Sequence, residues 1–165
     1  MFSLGVLTIS DKGSRGERVD VSGTRIKEIL SSVSRVVKYE IIPDEANTIS
    51  GRLAEWADSG QVDVIISTGG TGLGPRDVTP EATMKILDKT VPGIAEAMRF
   101  GTLNKAPTAM LSRAVTGVRK NCLIINLPGN PKAVQECLEI ILPAVPHAVD
   151  IITGAVTEHK TSVRG

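Results

Sequence analysis

Hydrophobic positions divide the chain into strand-like and helix-like runs that alternate from the start. Residues 4–10, Leu-Gly-Val-Leu-Thr-Ile-Ser, form a nearly continuous apolar, β-branched stretch, the pattern of a strand buried on both faces. This predicts a central first strand, stopped by the polar stretch Asp11-Lys12-Gly13-Ser14-Arg15-Gly16. Ile26, Ile29, Leu30 and Val33 then recur at helical spacing, with Asp20 or Ser22 available as cap. Residues 36–42 predict a second strand, stopped at Pro43 because proline cannot extend a central ladder. Residues 48–58 place Ile49, Leu53 and Trp56 on one helix face before Gly60, and residues 62–67 predict a third strand.

Strand, helix, strand, helix, strand in this order predicts the α/β class. Parallel strands need crossovers, and the crossover helices cover both faces of the sheet. Further on, residues 79–87 and 94–103 predict helices, with Thr79 as N-cap, Pro80 in the first position and Glu81 in the first turn of the former. Residues 114–119 and 122–127 predict a strand pair, adding one antiparallel edge strand to a mostly parallel sheet. Residues 132–151 form a long apolar helical segment that Pro143 and Pro146 break or kink. Residues 1–155 read as one domain, and residues 156–165 as a polar tail, ordered only if a neighbouring subunit holds it.

Composition narrows the function. The 165 residues suffice for one buried core, and 41% hydrophobic with 22% charged residues sets disorder, coiled coil and collagen aside. A net charge of +1, spread along the chain, offers neither a basic stripe for nucleic acid nor a polybasic segment for lipid. Aromatics at 2% leave no base-stacking platform. No apolar run approaches the ~20 residues a bilayer needs, and Met1-Phe2-Ser3-Leu4-Gly5 has no basic leader, so the cytoplasm is the expected compartment and a small molecule the expected partner. Cys122 and Cys137 fall in a strand and a helix pattern and read as buried free thiols. With only His147 and His159, a Ser-His-Asp triad has no natural assembly, and neither H-E-x-x-H nor C-x-x-C is present for zinc.

In an open parallel sheet ligands bind beyond the carboxyl ends of the strands, which directs attention to four segments. Ser10-Asp11 follows strand one, and Pro43-Asp44-Glu45 follows strand two. Thr68-Gly69-Gly70-Thr71-Gly72 follows strand three, with backbone N–H groups able to approach an anion and two hydroxyls beside them. That loop is either an anion nest or a plain tight turn; it is neither a Walker A loop nor a G-x-G-x-x-G loop. Asn126-Leu127-Pro128-Gly129-Asn130-Pro131-Lys132 leads from the last strand into a helix, whose positive end and Lys132 suit an anion.

Two carboxylates complete the picture. Asp77, in Arg76-Asp77-Val78-Thr79-Pro80, precedes the helix start and is not needed by it. On spacing alone, Asp44 reads better as a turn residue after proline. If both overhang one crevice, they suit Mg²⁺, which takes one or two carboxylates together with substrate phosphate oxygens. Ser112 and Arg113 offer a hydroxyl and a guanidinium that serve equally well as helix-end residues.

Taken together, Thr68-Gly69-Gly70-Thr71-Gly72, Arg76-Asp77-Val78-Thr79-Pro80, Pro107-Thr108-Ala109 with Leu111-Ser112-Arg113, and Leu127-Pro128-Gly129-Asn130-Pro131 resemble the MoaB/Mog family of molybdenum-cofactor biosynthesis proteins. The resemblance covers nearly the whole chain, with Asn130 standing where some relatives have glutamine. It implies a three-layer α/β/α domain, usually a homotrimer, that binds molybdopterin. In the adenylyltransferase branch such a domain uses Mg²⁺ and ATP to make adenylyl-molybdopterin and pyrophosphate, for hand-over to a molybdenum-insertion protein. The catalytic, metal-holding aspartates implied are Asp44 and Asp77. The implied substrate contacts are Ser10, Asp11, Thr68, Gly69, Gly70, Thr71, Gly72, Ser112, Asn126, Pro128, Gly129 and Lys132. Two other readings stand beside transfer: a non-catalytic molybdopterin-binding scaffold, and hydrolysis of a nucleotide-like small molecule.

Overall fold

The computed structural model describes residues 1–156, so nearly all of the expected tail lies outside the described residues. Six strands are present among them: β1 (Phe2–Ile9), β2 (Ser34–Ile42), β3 (Val64–Thr68), β4 (Lys89–Thr90), β5 (Thr116–Arg119) and β6 (Cys122–Leu127). They form one sheet in the order β2-β1-β3-β6-β5-β4. β1 pairs in parallel with β2 and β3, and β3 in parallel with β6. β5 runs against both of its neighbours. The antiparallel strand therefore lies one place in from the edge, which the two exposed residues of β4 occupy.

The helices are α1 (Asp11–Ser14), α2 (Val21–Ile29), α3 (Ala46–Asp58), α4 (Thr79–Met84), α5 (Pro92–Thr102), α6 (Pro131–Ile141) and α7 (Val145–Ile152), with a 3₁₀ turn at Pro107–Leu111. Asp20 takes the α2 cap, accepting the Gly23 N–H at 2.8 Å. The segment expected as one long helix is two, with Pro143 in the break and Pro146 in the first turn of α7, where its missing N–H costs nothing.

Alternation along the strands supplies two cores. Leu4, Val6, Val64, Ile66, Leu123 and Ile125 pack on one face with side chains of α2, α5, α6 and α7. Leu7, Ile65 and Ile124 pack on the other with Ile49, Leu53 and Trp56 of α3 and Ala82 of α4. The result is three layers, α/β/α, and each fully buried leucine or isoleucine contributes about 1.5–3 kcal/mol by leaving water. Connectivity then places the site. The chain runs from β1 outward to β2, returns past β1 to β3, and continues in the other direction, so the order reverses between β1 and β3. A crevice opens where neighbouring crossovers diverge, at the carboxyl ends of those two strands. Ser10 and Gly69, the residues that follow β1 and β3, stand at its edge.

Candidate functional site

The glycine turn after β3 forms the floor of the site. Gly69 and Gly70 have φ of 103° and 66°, the left-handed region that a side chain disfavours. The turn is anchored on both sides: Gly69 N–H donates to the Leu127 carbonyl at 3.2 Å, and Thr79 N–H to the Gly70 carbonyl at 3.1 Å. The Thr79 hydroxyl donates to the Gly69 carbonyl at 2.9 Å. Thr79 is thus the first residue of α4 and not its N-cap, because its hydroxyl is committed to the turn. The N–H groups of Gly70, Thr71 and Gly72 donate to nothing among the described residues, leaving three adjacent donors for an anion.

Asp44 and Asp77 flank this turn. Asp44 Oδ1 lies 3.1 Å from where a Cβ on Gly70 would stand, and Asp77 Oδ2 lies 2.9 Å from the equivalent point on Gly72. Asp77 Oδ2 also accepts the Gly74 N–H at 2.8 Å. Asp44 and Asp11 hold each other: the Asp11 N–H donates to Asp44 Oδ2 at 2.9 Å, and the Asp44 N–H to Asp11 Oδ1 at 3.0 Å. Burial pushes the Asp44 carboxyl above its ordinary range; the Asp11 amide opposes this, while the charges of Asp11 and Asp77 add to it. Asp11 moves the other way, because the Arg76 guanidinium grips both of its oxygens at 3.0 Å. Arg76 also reaches Glu45 at 2.9 Å.

Asp77 lines one cleft and Asp44 an adjoining one, and the two clefts share Gly70 and Gly129. The first cleft, about 550 Å³, is lined by Thr71, Gly72, Asp77, Ser112 and Pro128 in front of an apolar wall that includes Ala95 and Met98. The second, about 510 Å³, is lined by Ser10, Asp20, Asp44, Thr68 and Gly69. Gly70 and Gly129 belong to both. Several hydroxyls serve the architecture. Ser10 Oγ caps α1 by accepting the Gly13 N–H at 3.0 Å, and the Thr68 hydroxyl donates to the Pro128 carbonyl at 2.7 Å, tying the loop after β6 to β3.

Three of the expected contact residues lie outside both clefts. Asp11 turns its carboxylate to Arg76. Asn126 is fully buried: its amide donates to Ser67 Oγ at 2.9 Å and Thr83 Oγ1 at 3.0 Å, and its Oδ1 accepts the Val115 N–H. Lys132 is exposed on the first turn of α6, where Asn130 Oδ1 already accepts the Lys132 and Ala133 N–H groups. Asp20 was legible only as a cap, yet it also lines the second cleft, accepting the Thr8 hydroxyl and the Tyr39 hydroxyl at 2.7 Å each. Burial raises the Cys122 and Cys137 thiols to about 12 and about 11, in keeping with inert free cysteines. No three or more His, Cys, Asp or Glu side chains gather into a metal-holding cluster among the described residues. No helix among them is long and apolar enough to cross a membrane.

A family model described as a probable molybdopterin binding domain matches residues 5–147. The chain is 47% identical over 154 residues to a molybdopterin adenylyltransferase of Helicobacter pylori, covering 92% of this chain and 88% of the relative. It belongs to the MoaB/Mog family. A second member, the molybdopterin adenylyltransferase of Escherichia coli, is 36% identical over 175 residues, covering 97% of this chain and 90% of that one. The crystal structure of the molybdopterin biosynthesis enzyme MoaB from Thermus thermophilus superposes with a TM-score of 0.88 at 52% identity, covering 93% of this chain and 98% of that one. The MoaB/Mog fold thus accounts for the three layers and the sheet order, and the near-complete mutual coverage places both clefts within the shared domain.

Proposed function

We propose that this chain is a molybdopterin adenylyltransferase, transferring AMP from ATP to molybdopterin with release of pyrophosphate. The observation that carries the reading is the pair Asp44 and Asp77, one on each side of a glycine turn that offers three free N–H groups. Its close relatives bear that activity in name. The terminal phosphate of molybdopterin attacks the α-phosphorus of ATP; one P–O bond forms, the α–β anhydride bond breaks, and pyrophosphate leaves. A phosphate monoester has its second pKa at about 6, so near neutral pH the nucleophile is already ionised and no side chain needs to take its proton. Amides aimed at the phosphate oxygens stabilise charge without reorganising, as transfer between two anions requires.

Two carboxylates on either side of the glycine turn, in adjoining clefts that share Gly70 and Gly129, fit Mg²⁺ bound together with phosphate oxygens. Asp44 and Asp77 would hold the ion, which when bound offsets the negative charge of the two substrates. The residues of the chain do the remainder: the glycine turn orients phosphate, and the apolar wall of the first cleft excludes water. The reading includes a cytoplasmic homotrimer that passes its product to a molybdenum-insertion protein. Exposed Phe100, Met110 and Leu111 support self-association, which sedimentation measures directly.

Pyrophosphate release by purified protein given molybdopterin, ATP and Mg²⁺ tests the activity. Asp77→Asn keeps the shape and removes the charge, so it should bind molybdopterin and lose at least about 100-fold in turnover. Molybdopterin binding by the wild-type protein without any pyrophosphate would establish the scaffold reading instead.

A further inference from the structure

We infer that Arg113 is a positioning residue for this transfer, fixing the backbone of Asp77 against the glycine turn so that the Asp77 carboxylate presents one geometry to the nucleotide phosphates. The inference rests on the adenylyltransferase reading for its chemistry, and on the following contacts for its geometry. Arg113 comes directly after the cleft residue Ser112, and its side chain is 35% exposed. Its N–H donates to the Thr71 carbonyl at 2.9 Å. Its Nε donates to the Gly72 carbonyl at 2.8 Å and its Nη2 to the Asp77 carbonyl at 2.7 Å, while Nη1 pairs with the Glu81 carboxylate. One planar guanidinium thus joins the turn, the residue carrying the carboxylate, and the helix behind it.

The segment between these anchor points needs such a brace. Residues 73–76 are exposed and belong to no helix or strand. The other ties on this loop are internal or outward-facing: Gly74 with Asp77, and Arg76 with Asp11 and Glu45 from a side chain that is 56% exposed. Arg113 supplies the tie to the inner side. Its fork satisfies acceptors in different directions at once, whereas a lysine ammonium is a single point on a flexible stem and cannot hold the Gly72 and Asp77 carbonyls together in the same plane. The Glu81 carboxyl is held below its usual range by the guanidinium, so the partner that orients Arg113 stays charged across the working pH range.

Arg113→Lys keeps the charge and most of the stem. With Asp77 free to shift by a fraction of an ångström, turnover should fall about 10- to 100-fold and the Mg²⁺ concentration for half-maximal rate should rise at least about five-fold. The KM for molybdopterin and the melting curve should stay close to wild type, which a purely structural role would not produce. A readout independent of turnover is Mn²⁺ binding in the presence of ATP, followed through the electron paramagnetic resonance signal of free Mn²⁺; the lysine variant should bind more weakly. Wild-type values of both metal affinity and turnover in Arg113→Lys would overturn the inference. A wild-type protein that binds Mn²⁺ with ATP but releases no pyrophosphate would defeat the transfer reading, and weaker Mn²⁺ binding by the variant would still support the brace. If Arg113→Lys does not fold, Glu81→Gln carries the test: it loosens the guanidinium without deleting it, and should raise the metal requirement about three-fold, an unchanged requirement overturning the inference.

Discussion

Replacing Gly72 by alanine separates what the fold requires from what the chemistry requires. Gly72 is not among the residues with positive φ, so alanine fits its backbone, and loss of glycine's freedom in the unfolded chain favours the variant by about 0.4–1 kcal/mol. The new methyl would stand 2.9 Å from Asp77 Oδ2, against an ordinary contact of 3.4 Å or more, and nothing other than that carboxylate lies within 4 Å. Asp77 can yield by about 0.5 Å at the cost of its bond from Gly74, worth about 1 kcal/mol, so the melting temperature should change little. Turnover should not survive in the same way. Displacements approaching 1 Å in a reacting constellation cost about 100-fold, which puts the variant roughly 10- to 100-fold below wild type in pyrophosphate release. Gly51→Ala is the control, since its methyl would meet nothing within 4 Å on α3; it should raise stability by about 0.5–1 kcal/mol and leave turnover alone. Full activity in Gly72→Ala, with an unchanged metal requirement, would refute the assignment of Asp77 to the reacting centre.

Other outcomes follow from the same geometry. The Asp44 carboxyl must be ionised to hold a cation, and burial raises its pKa, so turnover should decline as pH falls through that raised value while Asp11, held low by Arg76, is still charged; a pH–rate profile lacking this limb in wild type would argue against it. For stability the sign is opposite to that of a salt-bridged carboxylate. The folded state binds the Asp44 proton more tightly than the unfolded chain, so stability is lost as pH rises from the ordinary carboxylate value through the folded one. Asp44→Asn should therefore melt higher than wild type at neutral pH, converge with it in acid, and be inactive throughout, as calorimetry and the pyrophosphate assay would show. Asn126→Ala strands the part-buried Val115 N–H and removes two further, buried hydrogen bonds, so it should cost about 3 kcal/mol and lower the melting temperature by roughly 6–12 °C.

The parts of the molecule written in local pattern were legible in the sequence. β1, β3 and β6 stand out as apolar runs because both of their faces are buried, and Pro143 and Pro146 mark the break between α6 and α7. β4 carries no such signal, since its two residues are exposed and only pairing with β5 makes them a strand. Asp77 was legible as a carboxylate that the helix start does not need, whereas Asp44 read locally as a turn residue and only the family resemblance singled it out; their distribution between two adjoining clefts depends on how the turn at Gly70 and the loop at Gly129 abut. Asn126 shows the limit of local reading: a polar residue near a strand's carboxyl end suggests a ligand contact until Ser67, Thr83 and Val115 are seen to take up its donors and its oxygen. Lys132 shows another, because the helix amides that would join it in holding an anion are already satisfied by the Asn130 side chain two residues before it.

The sheet order has a consequence for biosynthesis on the ribosome. β3 receives its second neighbour only from β6, whose register begins by pairing Leu123 with Val64. Until that distant segment emerges, a nascent chain carries Val64, Ile65 and Ile66 along an unpaired parallel edge, with backbone donors and acceptors open to any passing strand. Non-local pairing of this kind is slow to form, so premature termination upstream of β6 should yield sticky, chaperone-dependent fragments and not a smaller working unit.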